Sequence, residues 1–197
     1  MTPENHLPQA LDFISYVDQL KSVIRQNALW DDSRPENTAE HSWHAALSAL
    51  LLAPYANQPV DVDKVVRMLL IHDLIEIEAG DTFVYDEVGL AKQETAELKA
   101  AAEVFGRMPE EQGPALRALW DEFEARTTPE AKFAKAVDRF MPLYSNYCNG
   151  GHSWLAHDVT KAQVVQICAI IEEGSAQLWA RAEDMLTESV KKGWLKA

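Results

Sequence analysis

The sequence HDLIE at residues 72–76, followed by Gly80-Asp81, places ionisable side chains close together near the end of an apolar run. The run before it carries apolar residues at helical spacing from Val65 to Leu70, which predicts a buried helix. An aspartate is rarely buried unless it is paired or coordinates a metal. The adjacent histidine and aspartate therefore indicate a divalent cation bound at the end of this helix.

Two further segments supply the same kinds of ligand. Glu40-His41-Ser42-Trp43 lies upstream and Val137-Asp138-Arg139 lies downstream, each in a segment expected to be helical. The candidate metal set consists of two histidines and two aspartates from three helices: His41, His72, Asp73 and Asp138. A mixed nitrogen and oxygen set suits Mn, Co, Fe, Ni, Zn or Mg, and its lack of cysteine disfavours a closed structural zinc site. The alternative is a pair of buried His–Asp hydrogen bonds.

Composition narrows the class of protein. The chain has 197 residues, of which 47% are hydrophobic and 25% charged, which is typical of one globular domain over residues 1–197. The formal net charge of −13 argues against a nucleic-acid polymer as partner. Apolar runs are too short for a bilayer, and the N-terminus lacks the pattern of a signal peptide. These features predict no membrane partner. Cys148 and Cys168 are expected to be free thiols, which favours a cytoplasmic location.

The periodicity predicts an all-α bundle of about six to eight helices, with no segment that alternates as a strand. Asn37 and Glu40 resemble a capping box that opens the second helix, and Gly80 is expected to end the third. The metal-binding core is expected over about residues 20–165. The predicted helices cover about residues 8–26, 37–56, 61–80, 90–107, 114–126, 129–147 and 160–185.

These residues match the H…HD…D signature of the HD-domain phosphohydrolase superfamily. RPENTAEHSW at residues 34–43 resembles a block of the 5′-deoxynucleotidase-like HD family, and residues 72–76 with Gly80-Asp81 resemble its second block. DRFMPL at residues 138–143 and NGGHSW at residues 149–154 resemble a third block, found in a subgroup of HD hydrolases. The resemblance covers about residues 20–165.

The resemblance implies an HD-domain helical bundle that binds one divalent ion through the four candidate ligands. It also implies a catalytic acid pair, Glu76 and Asp81. On a helix, Glu76 would share one face with His72 and Asp73, one turn away. The alternative is that Glu76 is a solvated charge at a helix end and that Asp81 is a turn residue.

The resemblance further implies that Arg25, near the end of the first helix, binds the substrate phosphate. Gln26 stands where the bacterial deoxynucleotidase has an aromatic residue. The resemblance therefore implies less about sugar preference than about phosphate binding. Arg34 is expected to pair with an acidic neighbour instead. His44 is expected on a helix face, with a further metal ligand as the alternative. His152 and His157 are expected at the surface or at caps, with a place in the pocket lining as the alternative.

The function implied is that of a metal-dependent phosphomonoesterase which hydrolyses nucleoside 5′-monophosphates, with a deoxy preference as the narrower expectation. The partners implied are a small nucleotide substrate and a second copy of the chain in a homodimer. One alternative is an HD hydrolase of another nucleotide or phosphoester. The alarmone hydrolases carry a second acid directly after the glutamate, where this chain has Ile77. Another alternative is a non-catalytic nucleotide-binding HD protein.

Overall fold

Helices dominate the fold, as the periodicity predicted. The computed structural model describes residues 6–80 and 87–197, with side chains for all of these except 87–94. The helices are α1 (Leu7–Val17), α2 (Thr38–Leu52), α3 (Val62–Ile71), α4 (Glu76–Ala79), α5 (Glu87–Gly106), α6 (Gly113–Ala125), α7 (Pro129–Cys148), α8 (His152–Ala156), α9 (Lys161–Cys168), α10 (Ile171–Gly174) and α11 (Ala176–Lys192).

A short antiparallel sheet follows α1, where the sequence predicted a continuous helix over residues 8–26. Strand β1 (Ile24–Ala28) pairs with β2 (Pro35–Asn37), and a 3-10 turn (Asp18–Ser22) separates α1 from β1. The helix prediction is wrong for this last part. The exposure along β1 does not alternate, because only its last two residues are buried. A strand this short therefore carries no period-two signal, and it is stabilised by pairing with β2, which six residues separate from the end of β1.

Helix α2 begins where the capping box placed it. The Asn37 side chain accepts a hydrogen bond from the backbone N–H of Glu40 (3.0 Å), and the Glu40 carboxylate accepts one from the backbone N–H of Asn37 (3.2 Å). These reciprocal bonds satisfy two donors that a helix start leaves without partners. They fix the first turn of α2 and therefore the position of His41.

The third predicted helix is divided at the HD pair. Helix α3, capped by Asp61, ends at Ile71, and α4 begins only at Glu76. Between them the backbone bonds span three residues, from Leu74 N–H to Ile71 O (3.2 Å) and from Glu76 N–H to Asp73 O (3.0 Å). This tighter winding rotates successive side chains further than an α-helix does. The predicted continuous helix is wrong here, although Gly80 does end α4, with φ of +76°.

The predicted helix over residues 160–185 is also wrong as a single element, since α9, α10 and α11 replace it. Ser175 has an extended backbone, and its hydroxyl accepts a hydrogen bond from Leu178 N–H (3.2 Å), which caps α11. Gly174 approaches α7 so closely that a Cβ there would lie 2.3 Å from the Lys132 carbonyl oxygen. The Gly-Ser pair thus lets the chain turn against α7.

Helix α7 lies at the centre of the core. Ala134, Ala136 and Val137 are fully buried, and α2, α3, α6, α10 and α11 pack against this helix. Helices α2 and α3 also pack against each other, so α2, α3 and α7 meet in pairs. The three segments that carry the candidate ligands therefore converge on one point. Among the described residues, no helix has the length and apolar character needed to cross a bilayer.

Candidate metal centre

The four predicted ligands meet where α2, α3 and α7 converge. Asp138 Oδ1 lies 3.0 Å from His41 Nε2 and 3.3 Å from His72 Nε2. Asp73 Oδ1 lies 3.2 Å from the same His72 nitrogen. His41, His72 and Asp73 each offer a ligand atom within 4.8 Å of the others. Both histidines and Asp138 are buried. The structure therefore brings the whole predicted set together.

A hydrogen bond on the Nδ1 side of the His72 ring fixes its orientation. Its Nδ1 lies 2.8 Å from the Leu69 carbonyl oxygen. Because a carbonyl only accepts, Nδ1 carries the hydrogen, and Nε2 faces the carboxylates. The indole of Trp120 donates to the His72 carbonyl oxygen (3.1 Å), and Phe123 packs edge-on against the imidazole. This is the arrangement that a metal-binding histidine usually has.

Electrostatics within the cluster favour a cation. Burial, reinforced by Arg25, lowers the pKa of His41 to about 4, so its imidazole is neutral at pH 7. Burial also disfavours charge on His72, but the carboxylates of Asp73 and Asp138 outweigh it and raise the pKa of His72. Burial likewise opposes ionisation of both aspartates, yet the neighbouring histidines hold their pKa values below the usual range. The carboxylates stay ionised and attract positive charge.

This donor set fits a divalent ion better than it fits isolated hydrogen bonds. One oxygen, Asp138 Oδ1, faces the Nε2 atoms of both histidines, and a second carboxylate lies beside them. Once a cation displaces the proton that the carboxylates favour on His72, two imidazole nitrogens and two carboxylates would form a mixed set that borderline to hard divalent ions accept. Two separate His–Asp pairs would not need all four groups at a single point.

Glu76 lies beside the ligands and is largely buried. Its Oε2 accepts a hydrogen bond from the Thr38 hydroxyl (2.8 Å), and its Oε1 lies 3.8 Å from Arg25 Nη1. The alternative of a solvated helix-end charge is therefore wrong. Asp81, the other predicted acid, lies outside the described residues.

Arg25 reaches this centre from β1, and not from the end of a helix as expected. Its side chain is only 14% exposed, and its Nη1 lies 3.0 Å from Asp73 Oδ2. Arg34, by contrast, makes two hydrogen bonds to Glu40 (2.9 and 2.6 Å) at the surface, as predicted. An arginine that could contact a phosphate is thus present at the ligand cluster, and it is Arg25.

The other three histidines that the sequence analysis considered contact residues outside the ligand set. The ring of His44 packs against Trp30 and Trp43. His152 Nδ1 contacts the Asp32 carboxylate, and His157 Nε2 lies 3.2 Å from the Gln26 side chain. These contacts agree with the helix-face and surface roles expected for the three residues.

Two residues at this centre were not singled out from the sequence. Thr38 holds Glu76, and Glu36 lies 3.7 Å from His41 Nδ1. Burial raises the pKa of Glu36 to about 7, although Arg25 opposes the shift. Both belong to the segment 34–43 that carried the family resemblance, so their proximity to His41 in sequence was the available signal.

Comparison with known proteins agrees with this geometry. The model of a family described as HD domain matches residues 17–179, which include all four candidate ligands. The chain belongs to the HD domain family. The resemblance to 5′-deoxynucleotidase-like HD proteins is also confirmed. This HD-domain protein is 30% identical to the 5′-deoxynucleotidase HDDC2 of Homo sapiens and 31% identical to that of Bos taurus, each over 130 residues. The match covers 66% of this chain and 62% of each relative.

Solved structures share the fold along the chain. A crystal structure described as a predicted metal-dependent phosphohydrolase from Magnetospirillum magnetotacticum MS-1 is 47% identical, with a TM-score of 0.94, and the match covers 100% of this chain and 99% of that one. The PH0347 protein from Pyrococcus horikoshii OT3 is 22% identical, with a TM-score of 0.63 and coverage of 92% and 99%. The second likeness concerns the fold alone.

We expect the purified protein to hold about one divalent ion per chain, and the His72→Ala variant to lose most of it, because a ligand set that loses one member binds far more weakly. Elemental analysis after gel filtration measures the content. His152→Ala, which removes a surface histidine paired with Asp32, is the matched control and should keep its ion. Full ion content in folded His72→Ala would contradict the assignment.

Proposed function

We propose that this HD-domain protein is a metal-dependent phosphohydrolase that converts nucleoside 5′-monophosphates to nucleoside and phosphate, with deoxynucleotides as the preferred class. The observation that carries the proposal is the buried convergence of His41, His72, Asp73 and Asp138, with Arg25 beside it. The relatives named 5′-deoxynucleotidase and the phosphohydrolase structure support the same reaction class.

The four ligands would hold one divalent ion. The donor set is compatible with Mn, Co, Fe, Ni, Zn and Mg. When bound, such an ion lowers the pKa of a coordinated water toward neutrality and so supplies a nucleophile. The protein's own contribution is the dry, fixed arrangement: the Leu69 carbonyl orients His72, and Asp138 faces both histidines.

Arg25 is proposed to bind the phosphate group. Its guanidinium is planar and always charged, and it can donate two parallel hydrogen bonds to phosphate oxygens. In the structure its Nη1 lies between Asp73 and Glu76. With a net charge of −13, the protein as a whole repels anions, so capture of the substrate depends on such local cations.

Glu76 is proposed as the group that handles protons, together with Asp81. Water adds to phosphorus, the bond from phosphorus to the 5′ oxygen breaks, and that oxygen must gain a proton as it leaves. A carboxyl group close to the reaction centre can orient the water and pass on the proton. The Thr38 hydroxyl holds one oxygen of Glu76, which fixes the direction of the other.

We expect phosphate release from 5′-monophosphates in the presence of Mn, Co or Mg, and little release from 3′-monophosphates, diesters or triphosphates. Arg25 beside one ion can match a monoester dianion. Lys135 and Arg139 also lie near the centre, but they face the Asp138 carboxylate, so the extra charge of a triphosphate is left unmatched. A phosphate-release assay over this panel, with and without a chelator, is the measurement. Equal rates of hydrolysis of ribo- and deoxynucleotides would contradict only the proposed preference for deoxynucleotides.

Cleavage of diesters or triphosphates without cleavage of any 5′-monophosphate would overturn the substrate class. Nucleotide binding without turnover under any metal condition would favour the non-catalytic alternative.

For Glu76→Gln we expect a folded protein that still binds its ion but has lost turnover by about 100- to 10,000-fold, the usual contribution of a positioned acid–base group. Steady-state kinetics at saturating metal provide kcat. Glu78→Gln is the matched control, since Glu78 lies on the same helix α4 but pairs with Tyr16 at the surface. A kcat of Glu76→Gln equal to that of the control would assign proton transfer elsewhere.

We also propose that the protein acts as a homodimer in the cytoplasm. Helix α2 carries exposed apolar side chains at spacings of four, three and one residues, which places Trp43, Leu47, Leu50 and Leu51 on one side of the helix. Such a surface suits an isologous contact with a second copy. Both cysteines are free, as expected in a reducing compartment.

Light scattering should therefore give about twice the chain mass of 22.1 kDa for the wild type. Leu47→Glu should give the monomer mass, because it buries a charge in the contact. Leu11→Glu is the control, on the exposed apolar side of α1. A monomeric wild type would contradict the proposed dimer. A Leu47→Glu variant that is still dimeric would show that the contact does not use this surface.

A further inference from the structure

We propose that Glu36 is a positioning residue of this centre, whose single carboxylate orients both the proposed metal ligand His41 and the proposed phosphate ligand Arg25. The inference rests on the proposed function and deepens it. It assigns a role in setting metal affinity and phosphate binding to a residue that is itself neither ligand nor acid–base group.

The geometry places one oxygen between two partners. Glu36 lies in β2, and its Oε2 is 3.7 Å from His41 Nδ1 and 3.9 Å from Arg25 Nε. The side chain is only 14% exposed. Because a carboxylate with so little contact with water is costly unless it is paired, its burial at this position calls for partners, and these two are within reach.

Glu36 faces the back of the His41 ring. The other ring nitrogen, Nε2, faces the ligand cluster, 3.0 Å from Asp138 Oδ1. The negative charge of Glu36, 3.7 Å from Nδ1, electrostatically favours the tautomer with the hydrogen on that nitrogen, which directs the Nε2 lone pair to the metal position and makes the imidazole a stronger ligand. The Leu69 carbonyl performs the same task for His72. Each histidine of the centre thus has an oxygen behind it.

Glu36 also limits how Arg25 pairs. Arg25 Nη1 lies 3.0 Å from Asp73 Oδ2, so the arginine contacts a proposed metal ligand directly. Attraction by Glu36 on the Nε side draws the guanidinium away from full pairing with Asp73. Without that carboxylate, we expect Arg25 to neutralise Asp73 more completely, which would weaken the metal site and withdraw the arginine from phosphate.

Glu40 provides a matched control in the same segment. It is also a glutamate next to an arginine, but its carboxylate completes the capping box of α2 and pairs with Arg34 at the surface. A glutamine at this position can still accept the capping hydrogen bond. Glu40→Gln therefore removes a charge four residues from Glu36 while it keeps the capping bond that fixes the first turn of α2 and the position of His41.

The experiment compares Glu36→Gln with Glu40→Gln in the full chain. Metal dissociation constants for Mn or Zn are measured by competition with a chromophoric chelator, and the His41 tautomer is monitored by ¹⁵N NMR of the imidazoles. We expect affinity to fall about 10- to 100-fold in Glu36→Gln, as for other groups that hold a ligating histidine, with an altered His41 ¹⁵N signal. Glu40→Gln should match the wild type in both. At saturating metal, the KM for a 5′-monophosphate should also rise in Glu36→Gln.

Wild-type affinity and an unchanged His41 signal in Glu36→Gln would overturn the inference, while wild-type hydrolysis of 5′-monophosphates would leave the proposed function intact. If instead the wild type binds metal but hydrolyses none of these substrates, the proposed function fails, and the loss of affinity in Glu36→Gln still supports the role of Glu36. Should circular dichroism show Glu36→Gln unfolded, Glu36→Asp takes its place. Its carboxylate is one methylene shorter and cannot reach both partners, so wild-type affinity in that variant also overturns the inference.

Discussion

The contact of one carboxylate oxygen, Asp138 Oδ1, with the Nε2 atoms of His41 and His72 ties together the three helices on which the centre depends. Each of these side chains comes from a different packed element, α7, α2 or the end of α3. Buried polar groups without partners are costly, so these helices are stable in this arrangement only if the three groups meet. The arrangement that satisfies them is also the one that creates a cation site, and packing and chemistry are thus served by the same contacts.

Charge balance explains how the rest of the centre is arranged. Glu36, Asp73, Glu76 and Asp138 all carry carboxylates in or next to a poorly hydrated site, and Arg25 is the side chain that contacts three of them. A group of buried carboxylates repels itself unless cations are present. A divalent ion would supply the missing charge from one side, and Arg25 supplies it from the other. Both cations would also attract a phosphate group, so the positive charges that balance the carboxylates could also bind an anionic substrate.

Local signals were reliable where the determining contacts were themselves local. Helix α2 begins at the capping box predicted for Asn37, and Asp61 and Thr128 cap helices that begin close to the predicted starts, since each cap needs only the next three residues. The predictions of helix boundaries failed where contacts with another element determine the backbone conformation. Strand β1 exists because β2 pairs with it, and the break at Gly174 and Ser175 follows from the close approach to α7. Periodicity over a window does not register a turn that is stabilised by another element.

The amino-acid sequence was enough to predict that the chain is helical, to propose the four ligand residues and to indicate the family, because patterning, caps and the H…HD…D spacing lie in short segments. Three contacts become visible only in the folded chain: Arg25 reaches the ligands from a strand, the Thr38 hydroxyl donates a hydrogen bond to Glu76, and Glu36 lies on the Nδ1 side of His41. These three contacts link side chains from different elements. Their distances depend on how α2, α3 and the sheet pack, which a linear pattern does not encode.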